Sequence, residues 1–176
     1  EKLVGLDEAE QLTFGLSAAL PAPDSEDEIG AVREIAPGLE SVIYELERRL
    51  HEAPARVLII DYGYAQAEYY HPQRATGTLR CHYRHRVHND PFLLPGLQDI
   101  TAHVDFTAIA ESAIDHGAQL LGYTSQAHFL INGGITDLIR SISPDNPSVY
   151  LPLSTQIQKL TSPAEMGELF KVIALG

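Results

Sequence analysis

The chain has 176 residues, enough for one domain with a hydrophobic core and too few for two of typical size. A formal net charge of −12 argues against nonspecific nucleic-acid binding, and no apolar run nears the roughly 20 residues that span a bilayer. The single cysteine cannot close an internal disulfide, and residues 1–20 lack the basic start and small-residue cleavage site of a secretory signal.

The opening EKLVGLDEAEQLTFGL places Leu3, Leu6, Leu12, Phe14 and Leu16 around the turn-like DEAEQ, which predicts a β-hairpin. PAPDSEDEIG follows as a polar, acidic loop. Leu39, Val42, Ile43, Leu46 and Leu50 then recur at helical spacing. Val57–Ile60 is a continuous apolar run suited to a strand covered on both faces, and it ends in the polar tip Asp61, Tyr62, Gly63 and Tyr64. Helix, buried strand and polar turn make the pattern of an α/β sheet, where ligands collect at the carboxyl ends of strands.

No periodicity is visible from Ala65 to Ala102, although Tyr69, Tyr70, Tyr83, Phe92, Leu93 and Leu94 give the segment apolar anchors. Asp105 is placed to cap the helix FTAIAESAIDHG, with Gly117 at its far end. Gln119–Tyr123 predicts a strand, and Ser125–Ile142 a helix carrying His128, Phe129, Leu138 and Ile139, with Gly133-Gly134 as a cap or turn. Ser162-Pro163-Ala164-Glu165 predicts a capping box with proline at the first helical position, and Phe170–Leu175 a closing strand.

Charge is uneven along this order. Residues 1–55 hold 13 acids against 4 bases and residues 91–176 hold 8 against 3, but residues 56–90 hold 3 acids against 5 bases. Within that basic island, LRCHYRHRVHND (79–90) gathers Cys81, three histidines and three arginines. His82, His85 and His88 could suggest zinc, yet the paired cysteines of a structural site are missing and the interleaved arginines would repel a cation, so no metal is expected. Cys81 has the cationic neighbours a reactive thiolate needs, but no nucleophile elbow or family signature accompanies it. The chain carries no Walker loop and no GxGxxG. In an extended conformation Asp99, Thr101, His103 and Asp105 would share one face, able to orient a cationic substrate or move a proton. Capping by Asp105 beside an exposed strand edge explains the same residues equally well.

Three stretches, VLIIDYGY, YYHPQRATGTLRCHYRHRVHNDPFLLPGLQDITAHVDF and LLGYTSQAHFLING, together resemble the MidA-type class I S-adenosylmethionine-dependent methyltransferases, along nearly the whole chain. The resemblance implies an α/β fold of the class I methyltransferase (Rossmann-like) type. Residues 1–176 would form its carboxyl-terminal half, with a hairpin and loop over 1–28 and a long insertion over 65–104 after the first core strand. Val57–Ile60, Gln119–Tyr123 and Phe170–Leu175 would be the last three strands of a seven-stranded, mostly parallel sheet. The glycine-rich cofactor loop and the ribose-binding acid of such enzymes are missing, so the S-adenosylmethionine loop is expected outside this chain and no cofactor-binding residue is assigned.

The implied activity is methyl transfer to a protein arginine, linked to assembly of respiratory complex I. On that reading Asp61, Tyr62, Asp99, His103 and Asp105 line the acceptor side as catalytic residues, and Arg80, His82, Arg84 and Gln98 contact the substrate or brace the insertion. The expected partner is a protein substrate, with no nucleic acid and no membrane. The expected setting is the bacterial cytoplasm or the mitochondrial matrix, not secretion. A half-sheet with an apolar edge is expected to self-associate. A noncatalytic interaction module is the competing reading, with a histidine-based metal hydrolase well behind it.

Overall fold

The computed structural model describes residues 2–16, 32, 34–52 and 55–176. The acidic PAPDSEDEIG loop lies outside them. In chain order the first elements are β1 (Lys2–Leu6), β2 (Leu12–Leu16), α1 (Leu39–Glu52), β3 (Val57–Tyr64) and α2 (Gln66–Tyr69). The middle of the chain adds β4 (Arg80–Tyr83), β5 (Arg86–His88), β6 (Asp99–Thr101), β7 (Val104–Asp105) and α3 (Phe106–Asp115). It closes with β8 (Leu120–Ser125), α4 (Gln126–Asn132), α5 (Ile135–Arg140), α6 (Pro147–Thr161), α7 (Met166–Leu169) and β9 (Phe170–Leu175). These elements form two compact units: residues 1–34 with 72–102, and residues 35–71 with 103–176.

The larger unit is built on a sheet of order β7–β3–β9–β8. β9 runs antiparallel to both neighbours, pairing Val57 with Leu175 through Tyr62 with Phe170 on one side and Ser125 with Lys171 on the other. β3 and β8 are therefore parallel to each other, with the reversed final strand between them. One face of this sheet presents Val57, Ile59, Ile173 and Leu175 to Ile43 of α1 and to Phe106, Ile109 and Ala113 of α3. Burying that apolar face is the main source of stability for the layer.

Two of the expected helices form where their periodicity places them. In α1, Ile43 is buried and Leu39 and Leu46 pack on the core, but Val42 is 57% exposed. Glu47 takes the inward place one turn after Ile43, its carboxylate bonded to His51 Nε2 at 2.5 Å. In α3, Asp105 Oδ1 accepts the N–H groups of Thr107 at 3.0 Å and Ala108 at 3.2 Å, and Gly117 turns the chain with φ +100°. Asp105→Ala should therefore cost about 1 kcal/mol, seen as a fall of roughly 2–4 °C in melting temperature; an unchanged midpoint would show that the cap is dispensable.

Several expectations are corrected. β3 does not stop at Ile60 but continues through Asp61–Tyr64, because Gly63 and Tyr64 pair in parallel with Val104 and Asp105. The strand is not covered on both faces: Leu58 and Ile60, on the side away from α1 and α3, are 47% and 45% exposed. The single helix expected over Ser125–Ile142 is two, α4 and α5, since Gly134 adopts a left-handed φ of +86° between them. The capping box at Ser162 is also absent. Ser162 instead ends α6, and Glu165 and Gly167 return their N–H groups to its carbonyl at 3.1 and 2.9 Å. That tight return needs a glycine, because a Cβ on Gly167 would stand 2.6 Å from Thr161 C and 2.8 Å from Ser162 O.

In the smaller unit, β1 and β2 form the expected hairpin, from Lys2 opposite Leu16 to Leu6 opposite Leu12. Asp7 Oδ1 holds its turn by accepting from Ala9 N at 2.8 Å and Gln11 N at 2.9 Å. The stretch without visible periodicity contains an antiparallel sheet of order β5–β4–β6. Its strands have three or four residues, too few for alternation to show. The Glu34 carboxylate anchors the start of this sheet, accepting from Thr78 N, Thr78 Oγ1 and Leu79 N.

Candidate active site at the carboxyl end of the central strand

β3 delivers Asp61, Tyr62, Gly63 and Tyr64 to the carboxyl end of the sheet. Successive residues alternate faces, so Asp61 and Tyr62 diverge. Asp61 Oδ1 accepts the Tyr62 N–H at 2.8 Å, and in register it lies opposite Lys171. The Tyr62 ring meets His103 edge-on at 5.2 Å and Phe170 at 5.8 Å. Tyr64 stacks on the other side of the cluster, its ring 5.1 Å from His103 and within 10° of parallel. The Tyr69 hydroxyl donates to the His103 carbonyl at 3.2 Å, which fixes the backbone entering β7.

Gly63 makes this convergence possible. A Cβ there would stand 2.8 Å from Val104 N and 2.9 Å from its carbonyl carbon, and closer still to the carbonyl oxygen. Only a residue without a side chain lets β7 lie against β3, and β7 is what carries His103 and Asp105 to the strand end.

Tyr123 belongs to the other face of the sheet: it pairs with Ile173, which pairs with Ile59 on the side of α1 and α3, and its ring lies 5.5 Å from Phe106. Its hydroxyl is pushed above its ordinary range, first by burial and then by the negative charges of Glu68 and Asp105. The ring faces of Tyr62 and Tyr64 at the strand end suit a planar cation, which gains from their quadrupoles.

Of the five expected catalytic residues, Tyr62 and His103 are brought into contact, while Asp105 is drawn close by β7 but spends Oδ1 on the α3 cap. Asp61 faces away from Tyr62. Asp99 belongs to the smaller unit, in β6 opposite His82. The continuous strand that would align Asp99, Thr101, His103 and Asp105 does not exist, because pairing breaks after Thr101 and resumes at Val104.

The four expected substrate contacts all lie in the smaller unit. Arg80 sits in β4 opposite Thr101 and donates to the Leu79 carbonyl at 2.8 Å; His82 is exposed on the same strand. Arg84 occupies the hairpin turn, and Gln98 Nε2 donates to the Pro91 carbonyl at 2.7 Å, a bracing contact. Cys81 is fully buried, and among the described residues no group of three His, Cys, Asp or Glu side chains could hold a metal ion.

Sequence reasoning missed Tyr64 and Phe170. Tyr64 closes the same DYGY tip, so it was within reach. Phe170 becomes visible only through its register with Tyr62.

A cofactor cradle is not among these parts. A phosphate- or ribose-binding glycine turn needs open space over its Cα, whereas the space over Gly63 is filled by the Val104 backbone. Gly63 therefore cannot cradle S-adenosylmethionine.

The model of a family described as "Putative S-adenosyl-L-methionine-dependent methyltransferase" matches residues 3–124. The chain belongs to this methyltransferase family. It is 35% identical over 144 residues to the rat mitochondrial protein arginine methyltransferase NDUFAF7, covering 81% of this chain and 31% of that protein. It is 32% identical to the human protein of the same name, covering 95% of this chain and 37% of the relative. Among solved structures, a Burkholderia thailandensis protein bound to S-adenosyl-homocysteine superposes with a TM-score of 0.92 at 46% identity. That match covers all of this chain and 46% of the other; a second, native structure from the same organism gives 0.93 over 99% and 48%. The chain thus spans about a third of these two curated relatives and just under half of the solved chains. The α/β fold class of class I methyltransferases expected from the resemblance is the one found. No helix among the described residues is long and apolar enough to cross a membrane.

Proposed function

We propose that the complete protein is an S-adenosylmethionine-dependent protein arginine methyltransferase and that this chain, 1–176, supplies the acceptor side of its single catalytic domain. The insertion over 65–104 belongs to that side, and the cofactor loop lies outside the chain. The observation that carries this is the aromatic cluster at the carboxyl end of the sheet, where the rings of Tyr62 and Tyr64 both meet His103.

S-adenosylmethionine, when bound, supplies an electrophilic methyl group. The work left to this chain is positioning: holding a guanidinium in plane, excluding water from it, and placing carboxylates to favour its charge and take up the released proton. Asp61, Tyr62, Asp99, His103 and Asp105 are assigned to that acceptor side, with Arg80, His82, Arg84 and Gln98 bracing or contacting the protein substrate. The names of the curated relatives are mitochondrial and the similar solved chains are bacterial, which supports a mitochondrial matrix or bacterial cytoplasmic setting; the link to respiratory complex I assembly rests on the family resemblance.

In the complete protein, Asp61→Ala and Asp99→Ala should each lower transfer by on the order of tenfold with S-adenosyl-homocysteine affinity nearly unchanged; unaltered turnover in both removes the assignment. Titrating S-adenosyl-homocysteine into the 176-residue chain by calorimetry separates the remaining questions. No heat is expected. Saturable binding near one equivalent would show that the chain carries its own cofactor site.

A further inference from the structure

The basic island at 79–90, in which Arg84 is assigned to the protein substrate, folds into a hairpin with unusual backbone and charge. β4 and β5 pair antiparallel, with Tyr83 opposite Arg86, so the hairpin turns on two residues, Arg84 and His85. Both have left-handed backbone, with φ of +47° and +64°. A two-residue hairpin turn of this kind favours Asn-Gly or Gly-Gly, because both central positions lie where a Cβ is strained. Here the two positions carry large cationic or titratable side chains instead. Non-glycine residues held in such backbone tend to mark function rather than folding convenience.

The electrostatics agree. Arg84, His85 and Arg86 are all exposed. Among the described residues none of the three has a carboxylate partner; Arg84 rests 5.3 Å from the Tyr83 ring centroid. The arginines of the helices differ: Arg48 and Arg49 are paired with Glu45, and Arg140 with Asp137. The carboxylate nearest in register is Asp99, opposite His82 one strand pair further from the tip. Among the described residues Arg56 and Arg80 also show no carboxylate partner, but Arg84 and Arg86 are two such guanidiniums set two residues apart at one exposed turn of a chain of net charge −12.

We propose that the β4–β5 hairpin is a docking finger for an acidic segment of a partner protein, with the Arg84 and Arg86 guanidiniums taking its carboxylates in bidentate pairs. Guanidinium geometry matches a carboxylate fork, so a short acidic peptide can pair with both arginines at the tip. Nucleic acid fits poorly, since duplex binding draws on many phosphate contacts and the chain as a whole repels them. An anionic membrane fits poorly too, because such recognition uses clusters of several more basic residues. The proposal deepens the substrate contact assigned to Arg84 above, and its binding test needs no methyl transfer, so it can fail without removing the acceptor-side reading.

The probe is a fluorescein-labelled peptide of alternating Asp and Glu, followed by anisotropy against the 176-residue chain, with an Asn/Gln peptide of the same length as control. Saturable binding is expected for the acidic peptide alone. It should weaken roughly fivefold or more in Arg84→Ala with Arg86→Ala, and stay unchanged in Arg140→Ala. Arg84→Asn with His85→Gly is the sharper variant. It relaxes the turn, so the melting temperature should hold or rise while affinity falls. No binding by the acidic peptide, equal binding of the amide peptide, or affinity untouched by these hairpin variants would each overturn the proposal. So would tighter, Arg84- and Arg86-dependent binding to phosphatidylserine vesicles or to duplex DNA.

Discussion

Gly63→Ala should destabilise the chain by about 3 kcal/mol, the upper part of the range for forcing atoms into packed structure. For a chain of this size that corresponds to a fall of roughly 6–12 °C in melting temperature. The reason is geometric: the added methyl would meet the Val104 backbone, which cannot rotate away as a side chain could. Either β7 leaves β3 or β3 bends, and in both cases His103 and Asp105 move. Gly122→Ala in β8 is the matched control, because nothing stands within 4 Å of its missing Cβ. Circular dichroism melts of both variants decide the matter. A Gly63 variant as stable as the Gly122 variant would mean that the close approach of Val104 is not a structural requirement.

The second large effect is expected at His103. Its ring is the shared member of two aromatic contacts, stacked on Tyr64 and edge-on to Tyr62. Removing it frees both tyrosines at the end of the strand. In the complete protein, His103→Ala should lower turnover on the order of a hundredfold, the scale of a misplaced positioning group, with S-adenosyl-homocysteine affinity within about twofold. His103→Phe keeps a ring between the tyrosines while deleting the imidazole nitrogens. Recovery of most activity in the phenylalanine variant would assign the residue to packing. Loss equal to that of alanine would assign it to hydrogen bonding or proton transfer. If neither variant slows transfer, the aromatic cluster is not part of the acceptor site.

Much of the larger unit was legible in the residues. Ile43, Phe106, Ile109 and Ala113 share faces at helical spacing, and Ile173 and Leu175 sit in a compact apolar strand, so the core could be named before any coordinates. The cap by Asp105 was legible for the same local reason, a side chain bonding to N–H groups two and three residues ahead. Features set by contact rather than by local pattern were not. The extension of β3 through Tyr64 depends on a partner strand 41 positions away, with Tyr64 lying opposite Asp105. α6 escaped because Pro152 sits inside it and interrupts the helical pattern. Its helix survives the missing donor in tertiary context, which outweighs propensity.

The candidate site divides along the same line. Tyr62 and His103 were both nominated, but nothing in their spacing says that their rings touch, since the contact exists only once Gly63 admits Val104. Asp99 was nominated with them on an alternation that required one unbroken strand. The chain ends that strand after Thr101, and the supposed row of four side chains is distributed over two units. The basic island is unusual in composition, but its left-handed turn is not legible there, because no glycine or asparagine marks Arg84 and His85 as turn centres.

The edge of β3 has a further consequence. Among the described residues, this strand is bonded to β9 on one side along Val57–Tyr62, while β7 reaches only Gly63 and Tyr64 on the other. In an antiparallel ladder alternate residues turn their backbone groups toward the partner, and those between turn outward. The first part of β3 therefore carries two populations of peptide groups in strict alternation, one locked in the ladder and one open to solvent isotope exchange. Covering that edge with another strand would merge them into one slow class, so deuterium uptake along six residues reads directly whether the sheet has been extended.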